Sequence, residues 1–119
     1  MTLRKVNLTE KLETFDEVFS PRIVGYYNDD KIQVGKARGD FVWHTHPDTD
    51  DFILVVAGRL TVETRDEALE LGPGELVVVP RGVEHRTRAA EGAHIVLVEP
   101  RGTPNTGDAD VEPAAEIEI

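Results

Sequence analysis

The sequence predicts an all-β protein with one short helix near its N-terminus. From Arg22 onward the apolar residues fall in many short runs at near-regular spacing, which is typical of an antiparallel sandwich or barrel. Turn residues such as Gly72-Pro73-Gly74 separate the runs, and no long helical stretch follows the first 20 residues. A chain of 119 residues is the size of a single domain.

The predicted helix lies between Asn7 and Glu17, with Asn7 or Thr9 as its N-terminal cap. Apolar residues recur there at helical spacing, and Pro21 marks the exit. These apolar residues are Leu8, Leu12 and Phe15.

Nine short strands are predicted after the helix, each bounded by turn residues. They are Arg22–Tyr27, Lys31–Arg38, Phe41–His46, Asp51–Ala57, Arg59–Arg65, Ala68–Leu71, Glu75–Val79, Glu84–Ala89 and His94–Glu99. The runs that contain Phe52, Leu76 and Ile95 are apolar on both faces, whereas a strand with one face in water alternates. Their outer faces need cover from the N-terminal segment, a second sheet or another subunit, and we therefore expect a homodimer.

Three parts are expected along the chain. Residues 1–21 form a helical segment that packs on the barrel, residues 22–100 form the barrel, and residues 101–119 form a C-terminal loop and acidic tail. We expect the last ten residues to be mobile, with the alternative that Ile117 and Ile119, which alternate like a strand, pair with a sheet edge.

Composition excludes several functions. The net charge of -10 argues against nucleic acid and against anionic membrane surfaces as partners. The N-terminus lacks the apolar core of a signal peptide, and no run approaches the roughly 20 apolar residues of a membrane span, so we expect a cytoplasmic protein. The chain has no cysteine, so any metal must be held by imidazole and carboxylate groups.

Three of the four histidines fall in a spacing that suggests a metal site. His44 and His46 stand at positions i and i+2, which on a strand share one face with Cα atoms roughly 6.6 Å apart. Two imidazoles placed in this way can converge on one ion. His85 lies far along the chain and would approach from another strand. We expect His94, the fourth histidine, to support the site or the structure rather than to bind the metal.

Two ordered motifs contain these histidines, within residues 39–89. The first comprises Gly39, His44, His46, Asp51 and Gly58, and the second comprises Gly74, Pro80, Gly82 and His85. They resemble the two motifs of the cupin superfamily, and the chain is similar to small single-domain cupins of the kind often labelled mannose-6-phosphate-isomerase-like. The resemblance implies a double-stranded β-helix, the jelly-roll barrel of that family.

The resemblance also implies a set of four metal ligands: His44, His46, Asp51 and His85. They would hold one divalent transition metal, which could be zinc, iron, manganese or nickel. The sequence departs from the family pattern at Asp51, where glutamate is usual, and at Ala89, where asparagine is frequent. Aspartate is one methylene shorter, so either the backbone closes the gap or Asp51 bonds to the metal through water.

A mostly apolar pocket suited to a small organic ligand is expected beside the metal. Its predicted lining is Val42, Ile53, Val55 and Val77. The leading hypothesis is a metal-dependent enzyme, isomerase-like or dioxygenase-like, that acts on a small oxygenated or sugar-like molecule. The alternative is a non-catalytic small-molecule-binding or sensor protein, with or without metal. An isomerase needs a base to move the proton, and the sequence identifies no catalytic residue for that role.

Overall fold

The computed structural model describes residues 2–119, in which one short helix precedes eight strands. The helix α1 spans Leu8–Leu12. The strands are β1 (Arg22–Tyr27), β2 (Asp30–Asp40), β3 (Asp51–Gly58), β4 (Leu60–Glu63), β5 (Ala68–Leu71), β6 (Leu76–Val79), β7 (Arg86–Pro100) and β8 (Ile117–Glu118). The all-β fold with a short N-terminal helix is confirmed. No helix within the described residues is long and apolar enough to cross a membrane.

Strand β7 organises the sheet because it pairs with three other strands. β2 runs antiparallel along one of its edges, while β4 and β3 share the opposite edge, β4 toward the start of β7 and β3 toward its end. The resulting order is β5-β4-β7-β2-β1-β8, and β3 carries β6 on its other side. The strands therefore enclose a jelly-roll interior without closing into a complete ring.

The prediction of two separate strands on either side of Glu91-Gly92 is wrong, because β7 continues through this position. Gly92 has a φ of 98°, and the registers of β2 and β3 against β7 shift close to it. A positive φ at glycine accommodates such a bulge without ending the strand. Gly58, which also has a positive φ, packs so closely that an added Cβ would lie 2.3 Å from the Gly92 carbonyl oxygen.

The helix is shorter than predicted but begins where expected. The Asn7 side chain accepts a hydrogen bond of 3.0 Å from the backbone N–H of Glu10, so Asn7 rather than Thr9 is the cap. The helix ends at Leu12, and Phe15 is buried beyond it in the same apolar cluster. Short as it is, the helix is stabilised by this packing rather than by its own hydrogen bonds.

Two apolar clusters cover the two sides of the sheet. The inner one fills the jelly roll, and Ile53, Val55 and Leu60 are almost fully buried in it. The outer one packs the helix against Val34 and Val96, with Ile119 at its margin. Cover for the outer face of β7 thus comes from within the chain. On β6, Leu76 and Val78 remain about half exposed, and the homodimer stays a prediction.

The C-terminal segment ends in a strand. Arg22 and Ile23 of β1 pair in parallel with Ile117 and Glu118, and the N–H of Ile119 donates to the carbonyl oxygen of Ile23 at 3.0 Å. Of the two expectations for this segment, the structure supports pairing with a sheet edge.

Candidate metal centre

The segment Phe41–His46 is not the strand that was predicted, yet it turns both histidines inward. Only His44 forms a bridge, exchanging backbone hydrogen bonds of 2.9 Å in both directions with His85. Between the two histidines, the backbone of Thr45 is bound to Asp108: its N–H donates to Oδ1 at 2.7 Å and its carbonyl oxygen accepts from the N–H of Asp108 at 3.0 Å. These bonds from two sides impose the alternation that a regular strand would give.

Four side chains that the sequence singled out meet inside the jelly roll. We call them the histidine cluster: His44, His46, Asp51 and His85. Asp51 opens β3, and His85 stands just before β7. All four are buried, with between 1 and 6% of their surface exposed. One potential ligand atom from each lies within 4.8 Å of the others.

Two distances within the cluster are close to those between ligands of a single metal ion. Asp51 Oδ2 lies 3.2 Å from Nε2 of His85 and 3.6 Å from Nε2 of His46. Two ligands held at about 2.1 Å from one ion, with angles of roughly 90 to 109°, stand about 3.0 to 3.4 Å apart. The shorter distance lies within this range and the longer one within a few tenths of an ångström of it, so Asp51 stands at the spacing of a metal ligand from two imidazoles. Direct binding of the metal by Asp51 stays a prediction.

Two imidazoles have their tautomers fixed by backbone carbonyls. Nδ1 of His44 donates to the oxygen of Val42 at 2.8 Å, and Nδ1 of His85 donates to the oxygen of Val83 at 2.9 Å. A carbonyl oxygen can only accept, so Nδ1 carries a proton in both rings. Nε2 is then the nitrogen available to a metal, as in metal sites whose histidines are oriented through the other ring nitrogen.

Burial keeps two of the histidines neutral. Loss of hydration lowers the pKa of His44 to about 4, and it lowers the pKa of His46 although the charge of Asp51 opposes it. Burial also disfavours the charged form of His85, but the hydrogen bond to Asp51, with smaller contributions from the Val83 carbonyl and the Asp51 charge, raises its pKa overall. Neutral imidazole is the form that binds metals.

Asp51 provides the test of whether a metal fits. Its Oδ1 is buried and has no hydrogen-bond partner among residues 2–119, although buried carboxylate oxygens are rarely left without one. A metal cation held by the three imidazoles would supply the partner that this carboxylate lacks. The neighbouring Asp50 is exposed and accepts a hydrogen bond from the N–H of Arg81 at 2.9 Å.

A cavity of about 50 Å³ opens beside the cluster, and His44, His46 and Asp51 are among the residues that line it. Its walls are mostly apolar, as expected, but only Ile53 of the four predicted lining residues belongs to them; Val55 lies in the inner core instead. The remaining apolar lining includes Phe19, Phe41, Ile95 and Leu97.

Glu99 also lines this cavity, although it was not among the predicted lining residues. Its position on β7 could have indicated this. Ile95, Leu97 and Glu99 alternate on one face of β7, so the face that carries two apolar cavity residues also carries a carboxyl group into the interior. His94, on the opposite parity, is half-buried and lies outside the cluster.

Comparisons with known proteins agree with this architecture. Residues 31–100 match the family model of the cupin domain. A cupin-2 domain containing protein from Shewanella frigidimarina has 40% identity and a TM-score of 0.80, over 81% of this chain and 94% of that one. A protein from Neisseria meningitidis has 32% identity and a TM-score of 0.75, over 82% and 99% of the two chains.

A curated relative, the uncharacterized protein YdbB of Bacillus subtilis (strain 168), is 33% identical over 63 residues. The match spans 52% of this chain and 56% of that protein, so it covers only about half of each. The family model, by contrast, covers more than half of this chain, including Asp51 and His85. With the jelly-roll fold and its interior histidines already established, the chain belongs to the cupin superfamily.

Proposed function

We propose that this protein is a metal-dependent cupin enzyme whose ion and adjoining cavity bind one small oxygenated organic molecule. The histidine cluster would hold the ion through Nε2 of its three imidazoles and a carboxylate oxygen of Asp51. The observation that carries the proposal is the buried Asp51 carboxylate in the histidine cluster: its Oδ1 has no partner among residues 2–119, and its Oδ2 lies close to Nε2 of His46 and His85.

The donor set limits the choice of metal. It offers nitrogen and oxygen atoms and no sulfur, which suits zinc, iron, manganese or nickel. Four protein ligands leave positions open on a five- or six-coordinate ion. When bound, such an ion supplies Lewis acidity that polarises a carbonyl or hydroxyl oxygen of a ligand.

The cavity supports the second half of the proposal. Its lining includes His44, His46 and Asp51 of the histidine cluster, while Ile53, Ile95 and Leu97 contribute apolar surface. A ligand would therefore place oxygen atoms at the metal and its carbon skeleton against that wall. A volume of about 50 Å³ restricts the buried part of the ligand to a few non-hydrogen atoms.

A metal titration of the purified protein, freed of metal with a chelator, tests the proposal. We expect one equivalent of Mn²⁺ or Zn²⁺ to bind. Asp51→Asn keeps the size of the side chain but removes its charge, and we expect it to weaken binding by about 10- to 100-fold. Asp50→Asn, which alters the outward neighbour, is the matched control and should bind like the wild type.

The same samples address the open coordination positions. Mn²⁺ in the cluster should enhance the relaxation of water protons, and a small hydroxycarbonyl compound should reduce that enhancement by displacing water. Failure to bind either ion would refute the metal proposal. Binding without any effect of Asp51→Asn would reduce the ligand set to the three histidines.

A further inference from the structure

Glu99 lies in the cavity of the proposed metal site but outside the set of four ligands. It is 4% exposed and lines the cavity together with His44, His46 and Asp51. Buried carboxyl groups are uncommon and are normally paired. The groups that pair with the carboxylate of Glu99 therefore determine how it can act.

Two residues of β2 hold Glu99 through one of its oxygens. Gln33 Nε2 donates to Oε1 at 3.1 Å, and Lys31 Nζ lies 3.8 Å from the same atom. Oε2 makes no hydrogen bond to another described residue. Among residues 2–119, Asp51 Oδ1 is the only fully enclosed side-chain polar atom without a partner, so Glu99 Oε2 is not fully enclosed. Glu99 is thus fixed in place by one oxygen and leaves the other for a molecule in the cavity.

Lys31 neutralises Glu99 only in part. Its ammonium group is closer to Glu116 Oε1, at 2.8 Å, and it donates to the carbonyl oxygen of Thr103 at 2.9 Å. We call this group the lysine cluster: Lys31, Gln33, Glu99 and Glu116. Since the lysine bonds most closely to the outer glutamate, the inner one faces the cavity without a full counter-charge.

These surroundings let Glu99 exchange a proton near neutral pH. Burial raises the pKa of Glu99 to about 7, and the charge of Asp51 on β3 adds to the effect. Lys31 and Gln33 on β2 lower the pKa of Glu99, and Glu116 in the C-terminal segment raises it slightly. A cation bound at Asp51 would offset the charge of that carboxylate and lower the pKa of Glu99. Acid and base forms are then both accessible, as proton transfer requires.

The other ionisable groups of the cavity are already engaged. Lys36 lines it, but its Nζ donates to the carbonyl oxygen of Phe15 at 2.5 Å. Asp51 and the imidazoles of His44 and His46 belong to the proposed metal site. Glu99 is left as the group in the described cavity lining that can take up and return a proton.

We propose that Glu99 is the general acid–base residue of this cavity and that the substrate is a small α-hydroxycarbonyl compound, which the enzyme isomerises. This inference rests on the proposed metal-dependent function. The Glu99 carboxylate takes the proton from the carbon that bears the hydroxyl group. The C–H electron pair forms a C=C bond, and the carbonyl π pair moves to its oxygen. Glu99 then returns the proton to the former carbonyl carbon, where the C=C electron pair forms the new C–H bond. The hydroxyl proton passes to the former carbonyl oxygen, and the O–H electron pair forms the new C=O bond, so the carbonyl and hydroxyl groups exchange positions with no oxidant or reductant.

Proton exchange with solvent provides the test. Zinc-loaded protein is incubated with dihydroxyacetone in D₂O, and proton NMR follows the loss of C–H signal; zinc is chosen because it has no redox chemistry. We expect the wild type to catalyse the exchange. Glu99→Gln, which keeps the size and the contact with Gln33, should lower the rate by about 100-fold or more with zinc affinity unchanged.

Glu70→Gln is the matched control. It makes the same change at an exposed carboxylate that pairs with Arg59 and lies outside the cavity lining, so its exchange rate should stay within about threefold of the wild type. Zinc stoichiometry is measured on every sample. A wild type that binds no zinc contradicts the proposed function. A wild type that binds zinc but does not exchange, or whose exchange survives in Glu99→Gln, overturns the role of Glu99 alone.

A second readout does not depend on turnover. In metal-free protein labelled with ¹³C at glutamate carboxyls, the resonance missing from Glu99→Gln identifies Glu99. We expect it to titrate near neutrality and to move to a lower pKa when zinc is added. Titration in the ordinary range of glutamate without zinc, or no change on adding it, would overturn the proposal even if the variant folded poorly.

Discussion

The lysine cluster and the histidine cluster both contain buried polar side chains, and they differ in how their polar atoms are bonded. In the lysine cluster, Lys31 is 2% exposed but contacts Glu116, Glu99 and the carbonyl oxygen of Thr103. In the histidine cluster, Asp51 and His85 are as deeply buried, yet Asp51 Oδ1 has no partner among the described residues. Lys31, Gln33 and Glu99 are buried as deeply as the histidine cluster, whereas Glu116 is exposed. The two clusters differ in how completely their buried polar atoms are bonded.

This difference distinguishes buried polar groups that stabilise the fold from buried polar groups that bind a ligand. Removing one partner of a buried charge pair leaves the other charge without compensation, so such a substitution in the lysine cluster should cost stability. Converging polar atoms that leave one oxygen unpaired are arranged to bind a group that is not part of the chain, here the proposed metal ion. Removing one of these atoms should weaken metal binding. Glu99 belongs to both groups of contacts, because one of its oxygens is bonded within the lysine cluster and the other is not.

The largest effect is expected on metal affinity. His46→Ala removes one imidazole from the histidine cluster, and we expect the dissociation constant for Zn²⁺ to rise about 1000-fold, roughly 4 kcal/mol. His94→Ala is the matched control, since His94 is half-buried outside the cluster. Competition with a chromophoric chelator measures both. Equal losses of zinc affinity in the two variants would contradict the assignment of the metal site to the histidine cluster.

The next effect concerns the stability of the lysine cluster. Lys31→Met leaves the buried Glu99 without a cation, and we expect the free energy of unfolding to fall by about 3 kcal/mol. Arg59→Met removes an exposed pair with Glu70 at 3.0 Å and should cost less than about 1 kcal/mol. Urea denaturation of the metal-free proteins gives both values. A loss for Lys31→Met no greater than for Arg59→Met would contradict the structural assignment.

A smaller effect is expected in the pH dependence of stability. The pKa of Glu99 is about 7 in the folded protein against an ordinary 4.5, so the folded state holds the proton more tightly than the unfolded state. Relative to Glu99→Gln, wild-type stability is therefore greatest below about pH 4.5 and falls by up to about 3 kcal/mol as the pH rises through 7. Urea denaturation of both metal-free proteins between about pH 5 and pH 8 measures the difference. A difference that rose with pH, or did not change, would place Glu99 in a different environment.

The fold and the histidine cluster were largely predictable from sequence because both depend on local patterns. Short apolar runs separated by turn residues predicted most of the strands. The spacing of His44 and His46 predicted that they share a side, although the strand expected there is an isolated bridge. Its geometry is imposed by His85 and Asp108, which are remote in sequence.

The lysine cluster could not be predicted in this way. Lys31 and Glu99 face each other only because β2 and β7 pair in one register, and Glu116 joins them from the C-terminal segment. Local patterns carry no information about register between strands so far apart. The continuation of β7 through Gly92 was missed for a related reason, since the pairing with β2 and β3 outweighs the local turn signal.

A crystal structure of the zinc-loaded protein, with anomalous diffraction data at the zinc edge, tests the central claim most directly. We predict one anomalous peak inside the histidine cluster, at about 2.0 to 2.2 Å from Nε2 of the three imidazoles and from a carboxylate oxygen of Asp51. The lysine cluster should keep its contacts unchanged. Zinc bound elsewhere, or no peak among these four side chains, would contradict the account.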